Sequence, residues 1–452
     1  MRYLPHTATD ISQMLATVGV ESVDELLEQV PANLRAQQAL GLPDGCPEAE
    51  VLERASELAA SNSILPSFQG AGCYRRHVPS VVSAVLSRAE FATAYTPYQP
   101  EVSQGTLQAC FEFQTYVARL CGLDVANASL YDGASALAEA VLLSLRVGRG
   151  RRRVLMSAGV HPAYRAVTET YLRGSGDSEV ELIGLDDNGR TDAELLEKAL
   201  GDDVAAICTG YPNFYGVIDD LATASRLARR CGALSLSVTS EPLALGLLRS
   251  PGELGADVAV AEGQGLGLPL SYGGPGVGLF AARQQYLRQV PGRLVGETLD
   301  SNGRRGYVLT LATREQHIRR ERATSNICTN QGLAALAVTT FLGVAGRKGL
   351  RKLAALNTVR AHQLAERLAS EAGLAPVFSA PFFNEFAIEV PDSKRWFDDC
   401  VQRGVIPGVR VADLEDSCAD DGDNRVLVTV TEVNSDADFD LLVSTARQSM
   451  AA

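Results

Sequence analysis

Two polar strings in this 452-residue chain hold groups able to recognise a small charged molecule. The first, Tyr95–Gln104, reads YTPYQPEVSQ. Its prolines fix φ, and its tyrosines and glutamines offer neutral hydrogen-bonding groups, as a rigid loop lining a site requires. A stiff surface turn accounts for the same residues. The second, Gln316–Gln331, reads QHIRRERATSNICTNQ. Arg319, Arg320 and Arg322 suit a carboxylate or a phosphate. They also suit a charged helix end ahead of the capping run Thr324-Ser325-Asn326. Cys328 is expected to have no nucleophilic role, since a thiolate needs a neighbouring base or cation and the nearest histidine in sequence is His317; the upstream arginines leave a redox-sensitive thiol as the alternative. A third string, Ser129–Ala138 (SLYDGASALA), puts Gly133 and Ser135 at a helix start, where backbone N–H groups cradle anions. An N-cap at Asp132 explains it equally well.

Other chemistries find less support. Gly276-Val277-Gly278 with Ala281 loosely matches a dinucleotide fingerprint, but that motif opens a helix and Val277–Phe280 reads as a strand. A glycine-rich turn leading into a strand is the better account of Gly263–Gly278. Neither G-x-S-x-G nor H-E-x-x-H occurs. The nine cysteines never form C-x-x-C and, with five histidines, give no zinc-like set, so no metal is expected. They read as reduced thiols mostly in the core. Only four lysines are present: Lys198, Lys348, Lys352 and Lys394.

Apolar periodicity supplies the elements that must hold these strings. The first 60 residues predict helices, over Asp10–Val18 and Val23–Val30. From about residue 105 the chain alternates. Helices are expected at Thr106–Gly122, Ala134–Leu145, Tyr164–Leu172, Asp192–Leu200 and Leu221–Cys231. Strands are expected at Arg153–Met156, Val180–Leu185, Val204–Thr209, Ser235–Val238 and Val258–Ala261. This predicts a parallel α/β sheet with right-handed crossovers. A long helix from Gln331 towards Leu368 follows. Strands Phe386–Val390 and Val426–Thr431 then flank a helix Ser393–Gln402, as in a small α+β domain. The acidic stretch Asp413–Asp423 reads as a solvated loop.

Composition is that of an ordinary globular chain, 46% apolar and 21% charged. A net charge of −13 argues against nucleic acid as the main partner. The apolar runs Val258–Ala261 and Leu243–Leu248 are far shorter than a membrane span, and residues 1–5 lack a signal-peptide layout. A cytoplasmic protein is expected.

Five segments together resemble the P-protein family of the glycine cleavage system, the decarboxylating glycine dehydrogenases. They are AYTPYQPEVSQGTLQACFEFQT (94–115), YPNFYGVIDDL (211–221), GQGLGLPLSYGGPG (263–276), GRRGYVLTLATREQHIRR (303–320) and ATSNICTNQ (323–331). Single-chain members carry two similar halves, and this chain resembles the N-terminal half, known when separate as the alpha subunit. The resemblance implies the fold of PLP-dependent transferases of type I, the aminotransferase-like α/β class. It implies a helical arm over 1–65, a large α/β domain over 66–340 and a small C-terminal α+β domain over 341–452.

A PLP enzyme needs a lysine for the Schiff base and an acid for the pyridine nitrogen. In the catalytic half of the family a His-Lys pair precedes the G-G-P-G turn. Counted back from Gly273–Gly276, the lysine position here holds Gln264, whose amide nitrogen is not nucleophilic. No lysine lies between 199 and 347, and no aspartate between 221 and 256. Glu241 is close to the acid's position but out of register. The implied role is therefore a PLP-free alpha subunit. It would pair in an α2β2 heterotetramer with a beta subunit carrying pyridoxal phosphate. Together they would decarboxylate glycine and pass the aminomethyl group to the lipoyl arm of H-protein. The residues implied for the shared site and interface are Tyr95, Tyr98, Gln104, Asn213, Arg319 and Asn326. A free-standing PLP-fold lyase or aminotransferase, and a non-catalytic scaffold or regulator, are the alternatives. Gln264→Lys is expected to leave the isolated chain without glycine decarboxylation, since the acid for the pyridine nitrogen is absent too. Release of labelled CO2 above the wild-type level would refute this.

Overall fold

Strands that are apolar on both faces must lie between two layers of helices. The computed structural model describes residues 5–35, 41–174, 176, 178–415 and 423–450, which divide after Ile64 into two compact units. The first holds α1 (Ala8–Val18), α2 (Val23–Leu26) and α3 (Glu48–Ala60). Thr7 and Asp10 close a reciprocal capping box on α1, and Gly19 ends it in the left-handed region. The second predicted helix is shorter than its apolar spacing suggests and stops at Leu26.

In the second unit α4 (Ser80–Leu86), α5 (Ala89–Ala92) and α6 (Gln104–Cys121) lead to the short strand β1 (Val125–Ala126). The alternating region follows: α7 (Gly133–Val147), β2 (Arg153–Ser157), α8 (Pro162–Leu172), β3 (Glu179–Ile183), α9 (Ala193–Ala199), β4 (Val204–Gly210), α10 (Leu221–Cys231), β5 (Leu234–Thr239), β6 (Val258–Glu262) and β7 (Gly278–Ala282). These strands form one sheet in the order β1-β7-β6-β5-β4-β2-β3. Strands β2 to β6 pair parallel, and β7 runs antiparallel to both β6 and β1. Alternate residues serve opposite faces. Ala259 and Ala261 pack with α6 and the long helix α12 (Gly332–Ala372), whereas Val258 and Val260 pack with α7. The predicted strand after the glycine-rich turn is β7; no helix follows the turn, so the dinucleotide reading falls.

Between β7 and α12 lies an antiparallel hairpin, β8 (Leu294–Leu299) and β9 (Arg305–Thr310), then the one-turn α11 (Gln316–Arg319). Helix α12 breaks at Gly346, whose φ of 55° and ψ of 178° suit glycine alone. By length and composition it is the one described helix able to cross a bilayer, but half of its most apolar window is buried in the molecule. Its second segment packs on a three-stranded antiparallel sheet and two helices: β10 (Glu385–Glu389), α13 (Ser393–Gln402), β11 (Val409–Arg410), β12 (Arg425–Thr429) and α14 (Asp436–Met450). In the acidic stretch Asp413 pairs with Arg410 at 3.3 Å; residues 416–422, including Cys418, lie outside the described residues. Of the eight described cysteines, all free, Cys110, Cys121, Cys208 and Cys400 are buried, while Cys46, Cys73 and Cys328 are exposed. Cys231 is half-buried, so the core holds four of the eight described thiols rather than most of them.

One turn fixes how β4 meets the small sheet. Gly216 has φ +79°, and a Cβ added there would lie 1.8 Å from the Glu385 carbonyl oxygen. Gly216→Ala is expected to destabilise the chain by at least about 2 kcal/mol, through left-handed strain plus displacement of β10. Gly105 is helical, and a Cβ added there would meet nothing within 4 Å, so it serves as the control. Gly105→Ala should gain up to about 1 kcal/mol. Urea unfolding midpoints measure both.

Candidate functional site

The segment 66–78 threads past the carboxyl ends of the strands. Phe68 N–H donates to the Ile406 carbonyl, and Thr429 N–H to that of Phe68. Further on, the segment meets Gln264, two residues beyond β6. The Gln264 oxygen accepts from Tyr74 N–H at 3.0 Å. Its amide nitrogen donates to the Leu268 carbonyl at 2.8 Å and to the Tyr74 carbonyl at 3.3 Å. The side chain is buried and acts as a backbone mimic, pairing with Tyr74 as a strand would.

Glu262, the last residue of β6, fills the neighbouring position. Its carboxylate accepts from the N–H groups of Gly133, Gln264 and Val277, each at 2.9 Å. Gly133 opens α7, so the anion-seeking start of that helix already holds the chain's own carboxylate. Burial pushes the Glu262 carboxyl up to about 7; the three N–H groups pull it down, and Asp132 nearby pushes it up. Asp132 caps α7 through Ser135 N–H at 2.7 Å. The Tyr164 hydroxyl lies 2.5 Å from where a Cβ on Gly133 would sit. The string Ser129–Ala138 is thus a capped and occupied helix start rather than an open cradle.

Glu241 is committed as well. Its carboxylate is paired with the buried Arg76 guanidinium and accepts from Leu243 N–H at 3.0 Å. Arg76 also pairs with Glu432 at 2.8 Å. Lys348 and Lys352 are exposed on α12. The residues at this cleft do not fit pyridoxal phosphate: no amine stands at Gln264, a carboxylate occupies the helix start, and Glu241 neutralises an arginine.

The strings singled out in the sequence divide into two groups. Tyr95 and Tyr98 are exposed, by 73% and 78%, with ring centroids 6.4 Å apart. The Tyr95 hydroxyl lies 3.3 Å from Thr329 Oγ1, joining the first string to the second. Arg319 and Asn326 are exposed too; Arg319 Nε donates to the Thr313 carbonyl at 3.2 Å. Tyr95 and Tyr98 thus adjoin the end of the second string, and Arg319 and Asn326 are exposed earlier in it. Gln104 and Asn213 instead serve the fold. Gln104, the first residue of α6, exchanges two hydrogen bonds with the Tyr307 backbone in β9, at 2.8 and 2.9 Å. Asn213 is buried, accepts from Tyr215 and Val217 N–H groups and donates to the Gly189 carbonyl at 2.7 Å. Contacts that spacing does not reveal tie these strings to the core. Arg293 bonds Thr96, Asn330 donates to the Ala128 carbonyl at 2.6 Å, and Cys328 N–H donates to the Tyr131 hydroxyl at 3.3 Å.

The family model described as glycine cleavage system P-protein matches residues 1–445. The chain belongs to that family. It is 52% identical over 413 residues to a probable glycine dehydrogenase (decarboxylating) subunit 1 of Anaeromyxobacter dehalogenans, covering 91% of this chain and 92% of the relative. It is 48% identical to the Moorella thermoacetica protein of the same name, with full coverage of both. A crystal structure of glycine decarboxylase (P-protein) of the glycine cleavage system, in inhibitor-bound form, superposes with a TM-score of 0.89 at 43% identity, covering 99% of this chain and all of that one. A cysteine desulfurase of Escherichia coli shares the fold alone, with a TM-score of 0.62 and 13% identity over 85% of this chain and 94% of that one. The sheet order and these neighbours make this the type I PLP-enzyme fold expected for a P-protein.

Within this P-protein chain a second buried carboxyl, Glu385, sits beside the same segment. It accepts from Thr429 Oγ1 at 2.6 Å, Ala71 N–H at 2.7 Å and the Tyr74 hydroxyl at 3.0 Å. Burial raises its carboxyl to about 7 despite these donors, and the Glu241 charge adds to the rise. A carboxyl raised in the fold stabilises fully below its unfolded value near 4.5, and that stability is lost as pH climbs through about 7. Glu385→Gln keeps the acceptor for Ala71 and Thr429 and donates to the tyrosine oxygen. Between pH 6 and 8 the wild type should lose roughly 1–2 kcal/mol more than this variant. Urea titrations at the two pH values with equal losses would refute the assignment.

Proposed function

We propose that this chain is the cofactor-free alpha subunit of a glycine decarboxylase, completing across an interface an active site whose PLP belongs to a beta subunit. The reading includes an α2β2 assembly and delivery of the aminomethyl group to the lipoyl arm of H-protein. The observation that carries it is the filling of the cofactor position by Gln264 and Glu262 in a chain of this fold and family. The same observation weighs against a free-standing PLP enzyme. In the overall reaction glycine loses CO2, and the electron pair left behind reduces the lipoyl disulfide. One sulfur takes the aminomethyl carbon and the other becomes a thiol. The reading places the protein in the cytoplasm, where exposed thiols such as Cys46, Cys73 and Cys328 persist.

This chain's part is to bind and to shield. Tyr95 and Tyr98 are exposed on a loop that meets Thr329, and Arg319 and Asn326 are exposed earlier in the second string, which suits groups that meet a partner's substrate or the acceptor protein. Neutral hydrogen bonds contribute about 0.5–1.5 kcal/mol and those to a charged group about 1.5–3. In the reconstituted complex Tyr98→Phe should therefore slow glycine decarboxylation by no more than about tenfold, and Arg319→Ala by about ten- to a hundredfold. Gel filtration checks assembly, and wild-type rates in both variants would sink the shared-site role of these loops. The isolated chain mixed with PLP should show no bound-cofactor absorbance band; such a band together with CO2 release would overturn the proposal.

A further inference from the structure

A cavity of about 670 Å³ opens where α12 breaks, on the flank of α6 and beside the turn Pro242–Gly246. Its floor is apolar: Leu245, Leu342 and Leu350 belong to the core packed against the main sheet. Its rim carries Arg119 from the last turn of α6, with Arg347 and Arg351 just beyond the break at Gly346. Among the described residues none of these three guanidiniums has an ion pair or a side-chain hydrogen bond. The one acid in the lining, Glu253, accepts instead from Ser250 N–H at 3.1 Å. In a chain of net charge −13, three cations thus line one opening against a single acid, Glu253, leaving an excess of positive charge there. The wall is tightly built, for a Cβ on Gly246 would lie 3.0 Å from Leu350 Cγ.

The volume falls within the range of small-molecule sites, and an apolar floor with a few convergent polar groups is their usual make-up. Guanidiniums recognise phosphate and carboxylate in a forked, bidentate geometry. We propose that this cavity binds an amphipathic organic anion, an apolar body bearing a phosphate or carboxylate head. The occupant would touch Leu342 in the first segment of α12 and Arg347, Leu350 and Arg351 in the second. The first segment and the start of the second, through Leu350 and Ala354, pack on the main sheet's core, and the second packs on the small sheet from Ala361 onward. Binding would therefore brace the break that joins the two sheets. The inference goes beyond glycine chemistry and stands or falls separately from it, because its test needs no catalysis.

Isothermal titration of the full chain with octyl phosphate, octanoate and inorganic phosphate tests it. Octyl phosphate or octanoate should bind, the better of the two identifying the head group. Inorganic phosphate, lacking the apolar body, should bind at least about tenfold more weakly. The double substitution Arg347→Gln with Arg351→Gln should weaken binding by about ten- to a hundredfold. Both positions are exposed, so folding should survive, and the unfolding midpoint verifies this. Absence of binding by both octyl compounds, or equal affinity in the folded double variant, would overturn the proposal.

Discussion

One buried guanidinium holds the second unit together. Arg76 reaches Glu241 at the end of β5 and Glu432 beyond β12, and lies 3.5 Å from the Asn357 oxygen on α12. The three partners come from the main sheet, the small sheet's side and the helix that links them. Desolvating such a cluster is costly, so its net gain over an apolar core is small, whereas removing one partner typically costs about 3–5 kcal/mol. The cluster thus acts as a constraint more than as a source of stability. It fixes where segment 66–78 runs, and that segment in turn brings Tyr74 to Gln264 and Ala71 to Glu385.

The cleft of a PLP-type fold presents the chain with an electrostatic requirement. Strand ends and a helix start point unpaired N–H groups into it, and a bound phosphate would normally satisfy them. In this chain Glu262 supplies the anion from within, and Gln264 supplies an amide that pairs with the passing backbone. The two replacements belong together. A lysine at 264 would place a cation beside the Glu262 carboxylate and leave Tyr74 N–H without an acceptor. The absence of a lysine and the occupation of the helix start are two sides of one arrangement, which keeps the fold while filling the cleft with the chain's own groups.

Most of the fold was legible because it is local. Helix starts at Asp132 and Asp192 and ends at Gly122 and Gly232 announce themselves through capping chemistry, and the buried strands through short apolar runs. The hairpin β8–β9 escaped because its strands are half exposed and carry Glu297, Arg305 and Thr310 among their apolar residues. The site was legible only in part. Gln104 and Asn213 have the same hydrogen-bonding groups as Tyr95 and Asn326; only tertiary burial decides whether such groups face a ligand or tie down a loop. Glu262, Arg76 and Glu385 act on partners 129, 165 and 314 positions away, a separation over which spacing carries no signal.

What the fold leaves unpaired bears on the assembly. After β6 the chain forms a loop in which Ser271, Tyr272 and Gly273 all have positive φ, and Tyr272 is fully exposed. Two successive non-glycine residues in that region cost about 1–2 kcal/mol each. A tyrosine ring in water recovers none of that cost, whereas a ring buried in a partner surface recovers it through apolar area. Tyr95 and Tyr98 repeat the pattern on a proline-stiffened loop, with large aromatic surface held rigid and wet. Rigid exposed aromatics lose little conformational entropy on docking, which makes them efficient anchors for an interface. The interior of this chain fills its own cleft with Gln264 and Glu262, and its stiff aromatic loops are the surfaces left open for contact with other molecules.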